Sequence, residues 1–306
     1  MTYSEIWHRI ATSYDDGEAR AIARILIEEL FGLSYTDIVC GATDQLSADD
    51  TLRLDTAVRR IEQGEPLQHV LGYADFCGNR FCVNGSVLIP RPETEWLVDE
   101  GAKLMDGCIA SDKTQHKAPH SPKRILDIGT GSGCIAISLK LRLGDAYVEA
   151  WDISEEALRT AQDNADALKA EVVFRKRDAL RADNTAAPWD LIVSNPPYIC
   201  DSERSAMDDN VLLHEPHTAL FVPDDDPLRF YHAIARYALL TLNIGGSLLF
   251  ECNTRYAEAT GAMLSDMGFE EVTVSDDCFG LPRFVRGSSP SQSAAPPNPP
   301  RRGGLS

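Results

Sequence analysis

The chain has 306 residues, room for one large or two ordinary domains at roughly 100 to 200 residues each, and 43% hydrophobic with 25% charged residues is a globular, soluble composition. A net charge of −18 argues against a partner held chiefly through its phosphates, which needs clustered lysine and arginine, but leaves a basic protein partner open. Apolar runs fall far short of the roughly 20 residues of a membrane span, no basic segment precedes an apolar core at the N-terminus, and eight cysteines are scattered without a C-x-x-C pair, so a cytoplasmic protein with reduced thiols, no membrane contact and no metal is expected.

Residues 1–65 read as a small helical domain for docking or packing. Ile22, Ile25, Leu26 and Leu30 share a helical face before the stop at Gly32, and a second helix opens at Ser47, with Asp50 three residues on, and carries Leu54, Ala57, Val58 and Ile61 toward Gly64. From 66 to 90, aromatic and β-branched residues broken by Gly72, Gly78 and Gly85 suggest a β-hairpin linker. Pro92 then sits at the start of a helix carrying Trp96, Leu97 and Val98, and the polar stretch 106–123 reads as a surface loop.

Beyond it, strands alternate with helices: strands at 124–128, 147–151, 172–175, 191–194, 247–251, 271–274 and 283–285, with helices from Gly133, after Ser154, near 228–242 and near 256–267. That alternation predicts an α/β fold, a doubly wound, mostly parallel seven-stranded sheet over about 91–286. Residues 287–306, rich in Ser, Pro, Gly and Arg, read as a disordered tail.

Between the first of these strands and its helix lies Asp127-Ile128-Gly129-Thr130-Gly131-Ser132-Gly133, where glycines admit a ligand close to the backbone and a helix N-terminus faces it. Asp152, nineteen residues after Gly133, ends the second strand, where a carboxylate can accept from both ribose hydroxyls. The pattern is G-x-G-x-G preceded by an acid. Asp127 would be unwelcome beside a pyrophosphate, but it can hold the ammonium of a methionine moiety, directly or through water, which points to S-adenosylmethionine rather than a dinucleotide. Asp178, past the third strand, is placed to accept from an adenine amino group, with Ala179 along the ring; a turn acid is an equal alternative.

Asn195-Pro196-Pro197-Tyr198 follows the fourth strand, on the carboxyl edge of the same sheet. The two prolines fix their φ angles, remove two N–H donors and push Asn195 into an extended conformation. The result is a rigid shelf of acceptors, the Asn195 side-chain oxygen and the carbonyls of 195 and 196, suited to a planar –NH2 group, with the Tyr198 ring to stack on the acceptor. Taken alone, the tetrapeptide is also ordinary Pro-Pro punctuation closing a buried strand. His214 and His217 have a metal-like spacing, but without a third ligand a polar loop is the favoured reading, and Glu251 and Cys252, closing the fifth strand at the active edge, are adequately explained by packing or capping.

With these motifs in place, the chain resembles the release factor glutamine methyltransferases over roughly residues 1–286. Beyond the two shared motifs, the resemblance rests on the linker Gly64 to Gly72 (Gly-Glu-Pro-Leu-Gln-His-Val-Leu-Gly), on Leu88-Ile89-Pro90-Arg91-Pro92-Glu93-Thr94-Glu95, and on Glu215-Pro216 with Ala219-Leu220. It implies a Rossmann-like methyltransferase domain that moves a methyl group from S-adenosylmethionine to the glutamine N5 of the Gly-Gly-Gln motif in class 1 peptide chain release factors. It further implies that Gly129 to Gly133, Asp152, Ala179 and Asn195 contact the cofactor, that Asn195 to Tyr198 hold the glutamine, and that the helical domain embraces the release factor. The chain departs from the family at Ala179, where some members carry a large aromatic residue, and in the length of the 106–123 stretch. Two other readings remain: methylation of an adenine or cytosine amino group, which needs base flipping and a basic groove that this charge disfavours, and a catalytically silent nucleotide-binding scaffold.

Overall fold

The computed structural model describes residues 1–110, 122–182 and 188–291; of the expected 106–123 loop, 106–110 instead continue a helix and 111–121 lie outside the described residues. The N-terminal unit is built from α1 (Tyr3–Ile10), α2 (Asp16–Phe31), α3 (Tyr35–Val39) and α4 (Ala48–Glu62). Each opens on a short polar cap, Thr2, Asp15, Ser34 and Ser47 respectively, whose side chain accepts a first-turn N–H. Gly32 ends α2 in the left-handed conformation. Ile6, Ile10, Leu26, Ile27, Leu54, Val58 and Ile61 form its core, closed at the rim by Arg9, whose guanidinium reaches both Glu62 oxygens at 2.7 Å and Asp55 at 2.7 Å.

The connecting segment holds a hairpin, β1 (Tyr73–Phe76) and β2 (Asn79–Cys82), turned by Cys77 and Gly78, both at positive φ. It does not begin as one: Pro66 starts a helical turn, α5 (Leu67–Leu71), stopped by the left-handed Gly72. A short 3-10 turn at Pro92–Thr94 then leads into α6 (Glu95–Ala110).

The sheet domain follows as β3 (Arg124–Ile128), α7 (Cys134–Leu143), β4 (Tyr147–Asp152), α8 (Glu155–Leu168), β5 (Val172–Lys176), β6 (Trp189–Ser194), β7 (Ile199–Cys200), α9 (Asp209–His214), β8 (Phe221–Val222), α10 (Arg229–Thr241), β9 (Leu242–Glu251), α11 (Ala257–Met267), β10 (Glu270–Asp276) and β11 (Pro282–Ser288). Seven strands lie in the order β10-β11-β9-β6-β3-β4-β5, parallel from β9 to β5, with β11 and β10 antiparallel at one edge. The chain winds from β3 outward to β5 and then returns to the other side of β3, so the switch point falls between β3 and β6, where open α/β sheets bind ligands. Apolar cores cover both faces, Ile125, Leu139, Val148 and Leu191 on one and Leu126, Trp151, Ile192 and Phe250 on the other.

Two boundaries are corrected. The fifth strand starts at Leu242 rather than 247, with a register shift where Gly245-Gly246 bulges against β6. The tail does not begin at 287: Gly287 and Ser288 pair with Leu248 and Ser247, and the Ser289 N–H donates to the Gly246 carbonyl, because β9 offers an edge that this polar run can satisfy. Residues 292–306 lie outside the described residues.

Candidate active site

The glycine loop and the proline ledge meet at the switch point. In the β3/β6 register Ile128 faces Ser194, and the Ser194 hydroxyl donates to the Ile128 carbonyl at 2.6 Å, tying the two strand ends together where each motif begins. A Cβ on Gly129 would lie 4.0 Å from the Asn195 carbonyl oxygen, so the ledge directly abuts the loop. Together they wall a cavity of about 370 Å3, within the usual size of small-molecule sites.

The loop is held from behind. The N–H groups of Gly129 and Thr130 donate to the Trp151 carbonyl at 2.9 Å. Asp152 accepts from the Gly131 N–H at 2.9 Å with one oxygen and from the Ser154 N–H at 2.9 Å with the other; each oxygen keeps a lone pair for a ligand hydroxyl. Gly129, Thr130, Gly131, Ser132 and Asp152 all line the cavity. Ser132 Oγ is buried beside the Cys134 thiol, which it hydrogen-bonds. Gly133 does not line it. Its φ of 82° and the crowding of a Cβ there, 2.9 Å from Ile137 and 3.1 Å from Ala161, make it the residue that lets α7 lie against α8.

Asp127 is also placed differently from a direct ligand. It is fully buried, off the cavity wall, and accepts from the Thr130 hydroxyl at 2.6 Å. Burial pushes its carboxyl up to about 7, against the Thr130 hydrogen bond. It shapes the loop from beneath, which leaves the expected hold on an ammonium, directly or through water, to the water-mediated route.

At the far wall, Asp178 accepts from the Leu180 N–H at 2.9 Å and caps the 3-10 turn Ala179–Arg181, and both Asp178 and Ala179 face the cavity. Asn195, Pro196 and Pro197 line it on the ledge side; Tyr198 does not. Tyr198 instead donates its hydroxyl to Glu251 Oε1 at 3.2 Å, and burial raises its pKa well above the ordinary tyrosine value.

Around this site, sequence alone sets Glu251 aside as packing or capping, names Glu215 only within the resemblance, and misses Asn164. Glu251, at the end of β9, is fully buried and takes a second hydrogen bond, at 2.7 Å, from the hydroxyl of buried Thr94. Asn164 on α8 donates to the Ser132 carbonyl at 2.9 Å and brackets the Cys82 backbone, joining hairpin and loop. Glu215, buried, accepts from the Ile89 N–H at 3.1 Å and Arg91 at 2.5 Å, strapping the Pro216 wall to the linker. His217 lies 2.8 Å from the Leu212 carbonyl, and no group of three metal-holding side chains occurs among the described residues.

The residues present fit S-adenosylmethionine: a carboxylate at the end of β4, small and apolar walls for an adenine, and open glycine backbone. Residues 96–220 match the family model for the methyltransferase small domain, and residues 8–72 match the PrmC N-terminal domain. The class is therefore that of the S-adenosylmethionine-dependent methyltransferases. The hMettl16 catalytic domain, solved with MAT2A 3'UTR hairpin 6, shares the fold, with a TM-score of 0.52 at 17% identity over 82% of this chain and 85% of that one.

Within that class the relatives are specific. The release factor glutamine methyltransferase of Bacteroides thetaiotaomicron is 43% identical over 89% of this chain and 93% of its own length; that of Flavobacterium psychrophilum is 37% identical over 90% and 94%. The chain belongs to the release factor glutamine methyltransferase family. Among the described residues no helix is long and apolar enough to cross a membrane.

Proposed function

We propose that this enzyme methylates the side-chain amide nitrogen, N5, of the glutamine in the Gly-Gly-Gln motif of class 1 peptide chain release factors, in the cytoplasm. The observation that carries the reading is the abutment of the Asn195 ledge on the Gly129 loop across one cavity. Bound there, S-adenosylmethionine supplies an electrophilic methyl group. Gly129 to Ser132, Asp152, Asp178 and Ala179 would hold it, with Asp127 and Gly133 shaping the loop.

An amide nitrogen is a poor nucleophile because its lone pair is delocalised. Asn195 Oδ1 and the Pro196 carbonyl accept its two N–H bonds, align the nitrogen toward the loop and favour its pyramidalisation. Pro196 and Pro197 keep those acceptors fixed, and Tyr198, off the cavity wall, anchors the end of the ledge through Glu251. No base is required, since the proton is acidic enough to pass to water once the nitrogen has been alkylated. Residues 1–65 serve as the docking unit, 66–90 as the linker, and the sheet domain from 91 carries the chemistry. The acidic surface suits a protein partner better than a nucleic acid.

Purified enzyme incubated with methyl-labelled S-adenosylmethionine and a release factor is expected to label the wild-type factor and spare one with the motif glutamine changed to alanine. Label on RNA or DNA, or equal label on both factors, would overturn the proposal.

A further inference from the structure

The proposed ledge works only if the Asn195 amide presents its oxygen, not its nitrogen, to the substrate. An amide can sit either way round, and nothing in the tetrapeptide itself chooses.

Parallel pairing of β6 with β9 sets Ser194 opposite Phe250, so the residues that follow, Asn195 and Glu251, lie side by side at the carboxyl edge of the sheet. Glu251 Oε2 accepts the Thr94 hydroxyl at 2.7 Å, and Thr94 Oγ1 in turn lies 3.4 Å from Asn195 Nδ2. An ionised carboxylate only accepts, so the Thr94 hydroxyl must spend its single proton on Glu251. Its remaining lone pairs can then only accept, which turns the Asn195 –NH2 toward Thr94 and leaves Oδ1 for the substrate. We infer that Glu251, acting through Thr94, is a positioning residue that sets the polarity of the ledge and so selects a substrate –NH2 group. The second oxygen, Oε1, holds the Tyr198 hydroxyl, so one carboxylate orients both ends of the motif. This rests on the proposed role of Asn195 and extends it to two residues outside the tetrapeptide.

The groups facing Glu251 are Arg283 on β11, Glu93 in the turn before α6, Tyr198, and, nearer its backbone, Tyr231 of α10 and the adjoining Cys252. Burial pushes the Glu251 carboxyl up to about 6, opposed by the Thr94 hydrogen bond and by Arg283 and reinforced by Glu93. Above that pH the relay has one direction. Below it, protonated Glu251 can donate, Thr94 is released from its role, and both amide orientations become available.

The test compares wild type with Glu251→Gln, Thr94→Val and Thr94→Ser, reading kcat on a release factor, the dissociation constant for S-adenosylmethionine, and kcat against pH. Glu251→Gln and Thr94→Val are expected to lose about a hundredfold in kcat, the scale of a misplaced reacting group, while cofactor affinity holds within about twofold. Thr94→Ser, which keeps the hydroxyl, is expected to retain turnover, and wild type is expected to lose kcat below about pH 6, a fall expected to be absent from Glu251→Gln. Wild-type kcat and pH profile in Glu251→Gln, or equal turnover by Thr94→Val and Thr94→Ser, would overturn the relay. Should Glu251→Gln not fold, the threonine pair decides alone. A wild type that methylates no release factor refutes the proposed function instead, so the two failures are distinguishable.

Discussion

Asp152 carries two tasks with one carboxylate: it holds the glycine loop through Gly131 and, in the proposed complex, the ribose. Replacing it removes charged hydrogen bonds worth roughly 1.5 to 3 kcal/mol each, so Asp152→Ala is expected to weaken cofactor binding by at least about tenfold, measured by calorimetry. An unchanged dissociation constant would remove Asp152 from the site. Asp127 has a different signature. Its folded pKa, about 7, lies above the unfolded value of 3.8, so the native state binds the extra proton between those limits and stability falls as pH rises through that window. Asp127→Asn is expected to flatten this part of the melting temperature profile relative to wild type; parallel profiles would show that the carboxyl is not the titrating group. At this scale the sequence displayed the residues that form motifs, Gly129 to Gly133 and Asn195 to Tyr198, because adjacency alone fixes their geometry. It gave no sign that Thr94 and Glu251, 157 residues apart, meet, which they do because the turn before α6 packs against the end of β9. Even for Asp127 the motif revealed importance and not orientation, since the pleat of β3, not the loop, decides that its side chain points inward.

Among the elements, the junction of α7 with α8 has the least tolerance. Gly133 sits at positive φ with Ile137 and Ala161 already in contact range of a side chain, and Gly133→Ala is expected to cost at least about 2 kcal/mol, from the left-handed backbone and from overpacking together. Denaturant unfolding measures it, and a loss below about 0.5 kcal/mol would show that the helices separate freely. Most strands were legible because those buried on both faces read as short apolar runs, as at Leu191 to Val193, and helices because Ser47 and Ser154 announce their starts. Two boundaries were not. Ser288 carries no strand propensity and is recruited by an available edge, and Leu67 to Leu71 is too short to show a helical period.

For the whole molecule, the winding order puts the two motifs at one switch point, and a net charge of −18 agrees with the proposed protein substrate. The central claim is that the ledge aligns the acceptor nitrogen and contributes little to holding the cofactor. Single-turnover transfer from prebound, methyl-labelled S-adenosylmethionine to a release factor, in wild type and Asn195→Ala, tests it most directly. Equal cofactor binding with transfer slowed by about a hundredfold or more in the variant is the expected result; transfer at the wild-type rate would contradict the claim.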